Sequence, residues 1–361
     1  MSETKTFAPG STIGILGGGQ LGRMAALAAA NLGYQCHIFE PQENCPASQV
    51  AKHTAASYDD WDALKAFASD CDVITLEFEN VPVGAISYLQ NKCNTPVHPG
   101  AHVLGIAQDR ALEKSFLNNA GIDTAPWAEI NSLEDLKAGV NKIGWPSVLK
   151  TARGGYDGKG QLKIDNSTDL AQAWDDIGQV KCVLEGFIDF TMEVSVIAAR
   201  NLKGETCAFD VMENQHKNHI LDRTLVPANI TEAMAAKAIN HALIATKAMD
   251  VIGLLAVEMF ITTSGDVLVN EVAPRPHNSG HWTQDACTTS QFEQLVRAIC
   301  NLPLGSVARL GDAEMQNLLG DDIDDWSNIL MEPGAHLHLY GKADAKEGRK
   351  MGHINRLIKR D

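Results

Sequence analysis

The sequence lacks several features that would indicate particular classes of protein. Its eight cysteines form no Cys-x-x-Cys pair, which argues against a structural zinc site or a dithiol redox motif and favours buried reduced thiols. No apolar run approaches the ~20 residues that a membrane span requires. The first ten residues also lack the apolar core of a secretory signal. We therefore expect a cytoplasmic globular protein without a membrane partner.

Basic residues are also scarce. The 30 Lys and Arg stand against 45 Asp and Glu, and the formal net charge is −15. This deficit argues against a nucleic-acid partner, because binding to a phosphate backbone depends on Lys and Arg. Seven of the thirty basic residues nevertheless lie between Lys342 and Arg360, which suits either a small anionic ligand or a solvated basic tail. The 361 residues are enough for roughly two or three domains.

A glycine-rich stretch, "GILGGGQLGRM", follows an apolar segment near the start of the chain. Gly17, Gly19 and Gly22 fit the dinucleotide fingerprint, and Glu40 stands where that motif has an acidic residue. The glycines are explained equally well by any tight strand-to-helix turn whose helix start attracts an anion, or by packing alone. We expect the turn to hold the monophosphate of a nucleotide, with the basic residues near the end of the chain, and to bind no dinucleotide.

The first hundred residues have the pattern of one small doubly wound α/β domain. Thr12–Leu16 predicts a buried strand, and Leu21–Leu32 predicts an alanine-rich helix. "YQCHIFEP" and "CDVITLEFENVP" predict two more strands. The second carries Glu77, Glu79 and Asn80 toward its carboxyl end, where open α/β sheets bind ligands.

A capped helix is predicted to begin near "QDR". Further along the chain, a second glycine-rich loop, "RGGYDGKGQ", lies between two strand-like runs. It carries Tyr156, Asp157 and Lys159, and Lys150 precedes it. Backbone N–H groups of such a loop can approach phosphate oxygens closely, while a lysine supplies charge. A mobile flap over a polyphosphate and an ordinary surface hairpin are both compatible with it.

Two acidic residues face each other in the hairpin predicted from "GLLAVEMFITTSGDVLVNEVA". If Ser264 and Gly265 form a two-residue turn, Glu258 pairs with Glu271 on one face. Directly opposed carboxylates repel unless a cation or a shared proton lies between them, and Mg²⁺ is commonly held by one or two carboxylates plus substrate phosphates. The alternative is a salt-bridged pair on a solvated face. In a regular ladder Asn270 falls on the opposite face.

The segment after the hairpin, "APRPHNSGH", holds two prolines and four polar side chains: Arg275, His277, Asn278 and His281. This composition suits anion binding. Either histidine alone would more often be structural, and the case for function depends on the cluster.

Together these stretches resemble the ATP-grasp superfamily and, within it, the N5-carboxyaminoimidazole ribonucleotide synthases of purine biosynthesis. The motifs are "GGGQLGRM", "EFENVP", "HPG", "QDR" with "EKSF", "TARGGYDGKGQ", "EGFIDF", "ENQH", "LAVEMF", "NEVAPRPHNSGHWT" with "SQFEQ", and "GKADAKEGRKMGH". The resemblance implies an α/β fold with a Rossmann-like domain at 1–106, an ATP-grasp domain at 107–304 and a small β-rich domain at 305–361. It also implies a flap-bearing subdomain at about 124–190, and a homodimer.

The resemblance implies that ATP phosphorylates bicarbonate to carboxyphosphate, and that the amine of 5-aminoimidazole ribonucleotide is then carboxylated. Mg²⁺, with Mn²⁺ as an alternative, would bind to Glu258 and Glu271. The nucleotide would contact Arg110, Lys150, Gly155, Tyr156, Asp157, Gly158, Lys159, Gly160, Glu185, Gly186, Phe187, Ile188, Glu193, His216, Asn270 and Glu271. The acceptor would contact Gln20, Leu21, Glu79, Tyr156, Asp157, Asn278, Lys342, Arg349 and Lys350. The residues expected to act in catalysis are Tyr156, Asp157, Arg275 and His277.

Three other interpretations remain open at this point. Another ATP-grasp ligase, such as formate-dependent glycinamide ribonucleotide transformylase or biotin carboxylase, would share the acid pair and the flap. An NAD-dependent dehydrogenase or a silent nucleotide-binding regulator would explain the first glycine motif but not the acid pair.

The chain also departs from the family at His219, where a glycine is common.

Overall fold

The computed structural model describes residues 5–155 and 160–358. Its first unit is a parallel four-stranded sheet in the order β3-β2-β1-β4. Leu16 at the end of β1 lies beside Leu76 at the end of β4, so the glycine turn and the acidic segment leave the same sheet edge. The elements are β1 Thr12–Leu16, α1 Gln20–Asn31, β2 Gln35–Phe39, β3 Lys52–Thr54, α2 Trp61–Ser69, β4 Val73–Leu76, α3 Val83–Asn91 and α4 Ala101–Ala107. The predicted doubly wound domain is confirmed.

The second unit begins with the capped helix and continues into a small antiparallel sheet. Asp109 accepts hydrogen bonds from the N–H groups of Ala111 and Leu112, which starts the helix. The sheet order is β5-β8-β6-β7. Its elements are α5 Arg110–Asn119, β5 Trp127–Ile130, α6 Leu133–Ile143, β6 Ser147–Thr151, β7 Gln161–Ile164, α7 Leu170–Asp176 and β8 Cys182–Gly186. The flap residues Tyr156, Asp157, Gly158 and Lys159 lie outside the described residues.

The third sheet has nine strands among the described residues and runs through the rest of the chain. Its order is β14-β13-β9-β11-β12-β15-β17-β16, with β10 paired to β9. The elements are β9 Phe190–Arg200, β10 Thr206–Ala208, β11 Met212–Lys217, β12 Ile220–Val226, α8 Glu232–Ala248, β13 Gly253–Thr262, β14 Val267–Ala273, α9 Thr283–Ala286, α10 Gln291–Ile299, β15 Asp312–Leu319, α11 Trp326–Met331, β16 Ala335–Leu339 and β17 Lys350–Ile358. The strands at the end of the chain therefore extend the central sheet through the β12–β15 pairing. The predicted boundaries at 106 and 304 stay predictions.

The β13–β14 hairpin differs from the two-residue turn that its sequence predicts. The backbone N–H of Thr262 donates to the carbonyl of Asp266, so three residues form the loop, and Gly265 takes the left-handed conformation at φ +88°. Met259 pairs with Val269, and a register shift follows Glu258. This bulge brings Glu258 opposite Glu271 again, so the predicted pairing is confirmed although the predicted turn was wrong.

One hydrophobic cluster joins the first sheet to the nine-stranded sheet. It contains Met24 of α1, Ile197 of β9 and Phe292 of α10, each almost fully buried. Helix α1 packs on α10 at this junction. The first unit is thereby held beside the third sheet, and Glu79, which follows β4, forms an ion pair with Arg275, which follows β14. Within the described residues, no helix is long and apolar enough to cross a membrane.

Candidate active site

One cavity of about 1030 Å³ is lined by residues from the first unit, from the second unit and from the nine-stranded sheet. Most of the predicted site residues in the described chain line it: Gln20, Leu21, Glu79, Arg110, Lys150, Gly155, Glu193, His216, Glu258, Asn270, Glu271, Arg275, His277, Asn278 and Lys350. Described residues that were predicted but do not line it are Gly160, Glu185, Gly186, Phe187, Ile188, Lys342 and Arg349. Polar lining residues outside the predicted set include Glu77, Gln108, Glu113, Arg153, Asn214, Asn218 and His219.

The start of α1 is already occupied by a carboxylate of the protein. Oxygens of Glu77 accept hydrogen bonds from the N–H groups of Gly19 at 2.6 Å and Gly22 at 2.8 Å. Burial raises the pKa of Glu77, and the two backbone donors act in the opposite direction. The sequence predicted a nucleotide phosphate at this helix start. The amide groups of Gly19 and Gly22 are satisfied by Glu77, and the predicted contact of the acceptor with Gln20 and Leu21 stays a prediction.

The acidic residue of the dinucleotide fingerprint is also engaged. The Glu40 carboxylate accepts from the backbone N–H groups of Gly18 and Gln42. A dinucleotide site needs such a carboxylate free for a ribose and the glycine amides free for the pyrophosphate. Neither condition is met here, which argues against the dehydrogenase interpretation.

Each of the opposed acids of the hairpin has a nitrogen-bearing partner. Glu258 Oε1 lies 2.8 Å from Nε2 of His277, and Nη1 of Arg110 donates to Glu271 at 2.9 Å. Burial works to raise the pKa of Glu258, but the neighbouring His277, His216 and Arg275 outweigh it and lower the pKa. The sequence did not predict these partners, which come from distant parts of the chain.

The same hairpin offers oxygen ligands to a hard cation. The bulge lets Asn270 line the cavity with Glu258 and Glu271, although a regular ladder would place it on the other face. In the described part of the chain, Oδ1 of Asn270 is buried without a hydrogen-bond partner. No group of three or more His, Cys, Asp or Glu residues among those described could hold a metal by itself. Two carboxylates and a nearby amide oxygen fit Mg²⁺ whose other ligands come from substrate phosphates.

A buried carboxylate holds two lysines at the expected nucleotide site. Oxygens of Glu185 lie 3.3 Å from Nζ of Lys114 and 3.1 Å from Nζ of Lys150. Burial works to raise the pKa of Glu185, but Lys114 and Lys150 outweigh it, so the pKa is lowered. Lys114 is almost fully buried, and it follows Arg110 by one helical turn. That spacing in "DRALEK" is the signal that could have identified it.

Glu113, on the same helix, binds the backbone of the acidic hairpin. Its carboxyl accepts the backbone N–H of Val272, the residue after Glu271. Burial first, and the charge of Glu271 second, raise the pKa of Glu113 to about 8. Helix α5 therefore supplies Arg110 to one side of Glu271 and Glu113 to the strand beside it.

The turn between β11 and β12 borders the cavity, next to the ion pair of His216 and Glu193. Nδ1 of His216 lies 2.6 Å from Oε2 of Glu193. Burial would lower the pKa of His216, but its hydrogen bond to Glu193 outweighs this and raises it. The turn that follows contains Asn218 at φ +52° and His219 at φ +64°, which is the conformation of a type I′ turn. Glycine is favoured at the second position of such turns, so His219 stands where the fold prefers a glycine.

Arg275 is bound to the acidic segment that follows β4. Its guanidinium donates to both oxygens of Glu79, and the Nη2–Oε1 distance is 2.9 Å. Burial works to raise the pKa of Glu79, but Arg275 outweighs it and lowers the pKa to about 2. This bidentate ion pair joins the first unit to the segment after β14, and both of its residues line the cavity.

The remaining predicted acceptor residues have mainly structural partners. Asn278 exchanges two 2.9 Å hydrogen bonds with the side chain of Asn317. Lys342 donates to the backbone carbonyl of Lys350, and burial, with Arg349 nearby, lowers its pKa to about 8. Arg349 donates to the carbonyl of Asp344. Of the three basic residues, Lys350 is the one that lines the cavity.

Comparison with known proteins covers nearly the whole chain. Residues 11–108 match the ribonucleotide synthetase preATP-grasp domain, 115–292 match the ATP-grasp domain, and 313–361 match the phosphoribosylaminoimidazole carboxylase C-terminal domain. The N5-carboxyaminoimidazole ribonucleotide synthase of Brucella melitensis is 49% identical over 98% of both chains. The chain belongs to the N5-carboxyaminoimidazole ribonucleotide synthase family. A bifunctional purine synthesis protein of Dictyostelium discoideum is 46% identical, and this chain spans 37% of its length.

Solved structures of the family have the same fold. An N5-carboxyaminoimidazole ribonucleotide synthetase in complex with ADP is 45% identical, with a TM-score of 0.94 over 98% of this chain and 94% of the other. The Aspergillus clavatus synthase, in complex with ADP and 5-aminoimidazole ribonucleotide, is 30% identical, with a TM-score of 0.89 over 97% and 94%. The ATP-grasp fold that the sequence predicted is thereby confirmed.

Proposed function

We propose that this protein uses ATP to carboxylate 5-aminoimidazole ribonucleotide with bicarbonate, yielding N5-carboxyaminoimidazole ribonucleotide, ADP and phosphate. A bicarbonate oxygen attacks the γ-phosphorus of ATP, and ADP leaves with the bond electrons. The exocyclic amine of the acceptor then attacks the carboxyl carbon, phosphate leaves and the amine loses a proton. Family membership supports this assignment, since relatives over the whole length of the chain carry this name.

One observation of the site carries the proposal. A single cavity is lined by the acid pair Glu258 and Glu271, by Glu79 of the first unit and by Lys350 of the last strand. A polyphosphate beside the acid pair and an acceptor beside Glu79 would therefore share one cavity. Carboxyphosphate must meet the amine before it meets water, and binding both in one cavity favours that order.

The nucleotide would lie between the two lysines of Glu185 and the hairpin. Lys150 and Arg110 line this part of the cavity, and each is paired with a carboxylate. Both are expected to contact phosphate oxygens, and Glu193 to contact the ribose. Mg²⁺ held by Glu258 and Glu271 would neutralise phosphate charge and polarise the γ-phosphoryl group.

Bicarbonate would bind beside Arg275 and His277, between the nucleotide and the acceptor. Arg275 is held by Glu79, which fixes the guanidinium plane at the wall shared by the two units. We propose that the acceptor contacts Gln20, Leu21, Glu79 and Lys350, and that Tyr156 and Asp157 cover it. We also propose that the enzyme is cytoplasmic and forms a homodimer, as its family resemblance implies. Light scattering after size-exclusion chromatography tests the homodimer.

The deciding experiment is ADP release with 5-aminoimidazole ribonucleotide and bicarbonate each present and each omitted. Release that requires both, with one carboxylated product per ADP, supports the proposal. Release that requires formate and glycinamide ribonucleotide, or biotin, would assign the chain to another ATP-grasp activity. Absence of ATP turnover under all conditions would overturn the proposal.

A further inference from the structure

A side-chain amide just before α5 binds the acidic segment that follows β4. This segment, residues 77–82, lies between β4 and α3 and belongs to neither element. Nε2 of Gln108 donates to the backbone carbonyls of Glu79 and Val81, each at 2.7 Å. A carbonyl oxygen only accepts, so the atom that faces both carbonyls is the amide nitrogen. The directions of both hydrogen bonds are therefore fixed by backbone oxygens alone.

The two residues that Gln108 binds have different surroundings. Val81 is fully buried in the hydrophobic cluster of the first unit. Glu79 is partly buried and lines the cavity, and Asn80 between them is exposed. One nitrogen atom of Gln108 therefore joins the backbone of Glu79, at the cavity, to the backbone of a residue that is held in the core.

Glu79 in turn binds Arg275. Both oxygens of its carboxylate accept from the guanidinium, and the Nη2–Oε1 distance is 2.9 Å. Such a bidentate pair depends on the orientation of both planar groups, so a shift of the Glu79 backbone would disturb it. We propose that Gln108 is a positioning residue, which fixes the backbone of Glu79 and, through Glu79, the orientation of the Arg275 guanidinium at the cavity.

The position of Gln108 in the chain gives this contact a wider effect. Arg110 follows two residues later and donates to Glu271 of the acidic hairpin. Residues 108–110 therefore contact both the acidic segment and the acidic hairpin. In the proposed function the segment binds the acceptor and the hairpin binds the metal and nucleotide, so this short stretch sets the distance between them. That consequence rests on the proposed function, whereas the contact of Gln108 with the segment does not.

Two substitutions separate the hydrogen bonds of Gln108 from its volume. Gln108→Met removes both donors and leaves a side chain of similar length. Gln108→Glu keeps the shape but places an oxygen against two carbonyl oxygens, so a residue that only filled space would tolerate it. Gln294→Met is the matched control, because Gln294 also makes two hydrogen bonds to backbone, both to Gly305, and does not line the cavity.

Hydrogen exchange of the full-length protein, measured without substrates, tests the contact itself. The peptide from Glu77 to Ile86 contains hydrogen-bonded amides on either side of the contact, those of Glu77 and Ala85. Two ordinary hydrogen bonds correspond to roughly tenfold in a local opening equilibrium, so this peptide should exchange roughly tenfold faster in both Gln108 variants. Gln294→Met should leave it unchanged. Unchanged exchange in both Gln108 variants would overturn the proposal.

Steady-state kinetics test whether Gln108 acts through Glu79. In Gln108→Met the KM for 5-aminoimidazole ribonucleotide should rise roughly tenfold, while the KM for ATP stays within about twofold. In a Glu79→Gln background the same substitution should change the acceptor KM by less than about twofold, because its route of action is already lost. A further tenfold rise in that background would overturn the positioning role. Faster exchange with an unchanged acceptor KM would support the contact and remove Glu79 from the acceptor site of the proposed function.

Discussion

The carboxylate of Glu77 at the start of α1 leads to a measurable prediction about local stability. Glu77→Gln keeps the volume of the side chain over the glycine turn but leaves one oxygen to serve two N–H donors. One of the N–H groups of Gly19 and Gly22 then faces an amide nitrogen, and a buried unsatisfied donor costs about 1–3 kcal/mol. Deleting a helix-capping side chain costs a similar 0.5–2 kcal/mol in general, roughly. We expect Glu77→Gln to lower the free energy of local opening at the start of α1 by about 2 kcal/mol. This corresponds to a roughly 30-fold larger equilibrium constant for opening.

Hydrogen exchange followed by mass spectrometry measures this opening peptide by peptide. With both proteins compared at the same pH and temperature, amides in the first turn of α1 should exchange roughly 30-fold faster in Glu77→Gln. Peptides from α8 should be unaffected. Glu134→Gln, which removes an exposed acid from the first turn of α6, serves as the control for loss of charge. Unchanged exchange at α1 would refute the conclusion that Glu77 satisfies these amides.

The other predictions concern the metal, the hairpin tip, the buried histidines and the acceptor. Glu271→Gln should lower ADP release by roughly 100-fold or more at saturating Mg²⁺, with an unchanged circular dichroism spectrum; normal turnover would contradict the metal assignment. His219→Gly should raise the unfolding free energy by about 1 kcal/mol in urea, because glycine adopts a positive φ without strain; a loss would contradict the strain argument. Burial lowers the pKa of His281 and His353, so the unfolded chain binds more protons below about pH 6.5. The unfolding free energy should then fall with falling pH, by up to about 1.4 kcal/mol per unit for each histidine, and a flat profile from pH 7.5 to 5.5 would contradict this. Lys350→Ala should raise the KM for the acceptor roughly tenfold while the KM for ATP stays within about twofold; equal effects on both would remove Lys350 from the acceptor site.

The sequence predicted the features that depend on local pattern and on recognisable motifs. Buried strands, capped helices and the meeting of β1 with β4 at one sheet edge follow from periodicity and from glycine and proline positions. The pairing of Glu258 with Glu271 was also predicted. It depended on two departures from a regular hairpin, a three-residue loop and a bulge, that compensate for each other. A register counted from the sequence cannot reveal such a pair of departures.

The polar partners of the site could not be predicted, because they come from residues far apart in the sequence. Glu77 lies 58 residues from Gly19, and Arg110 lies 161 residues from Glu271. The glycine turn has the same local sequence whether a phosphate or a carboxylate of the protein caps it. Which of the two is present depends on the side chain that the neighbouring strand delivers to the helix start, and local propensity does not determine that.

In the proposed reaction, bicarbonate is activated by transfer of a phosphoryl group before it meets the amine. With ¹⁸O-labelled bicarbonate, the oxygen that attacks ATP stays with phosphorus when the amine displaces phosphate. Mass spectrometry of the phosphate released in the presence of 5-aminoimidazole ribonucleotide measures this transfer. We expect one ¹⁸O per phosphate, with the other two bicarbonate oxygens in the carboxylated product. Unlabelled phosphate formed alongside that product would contradict it.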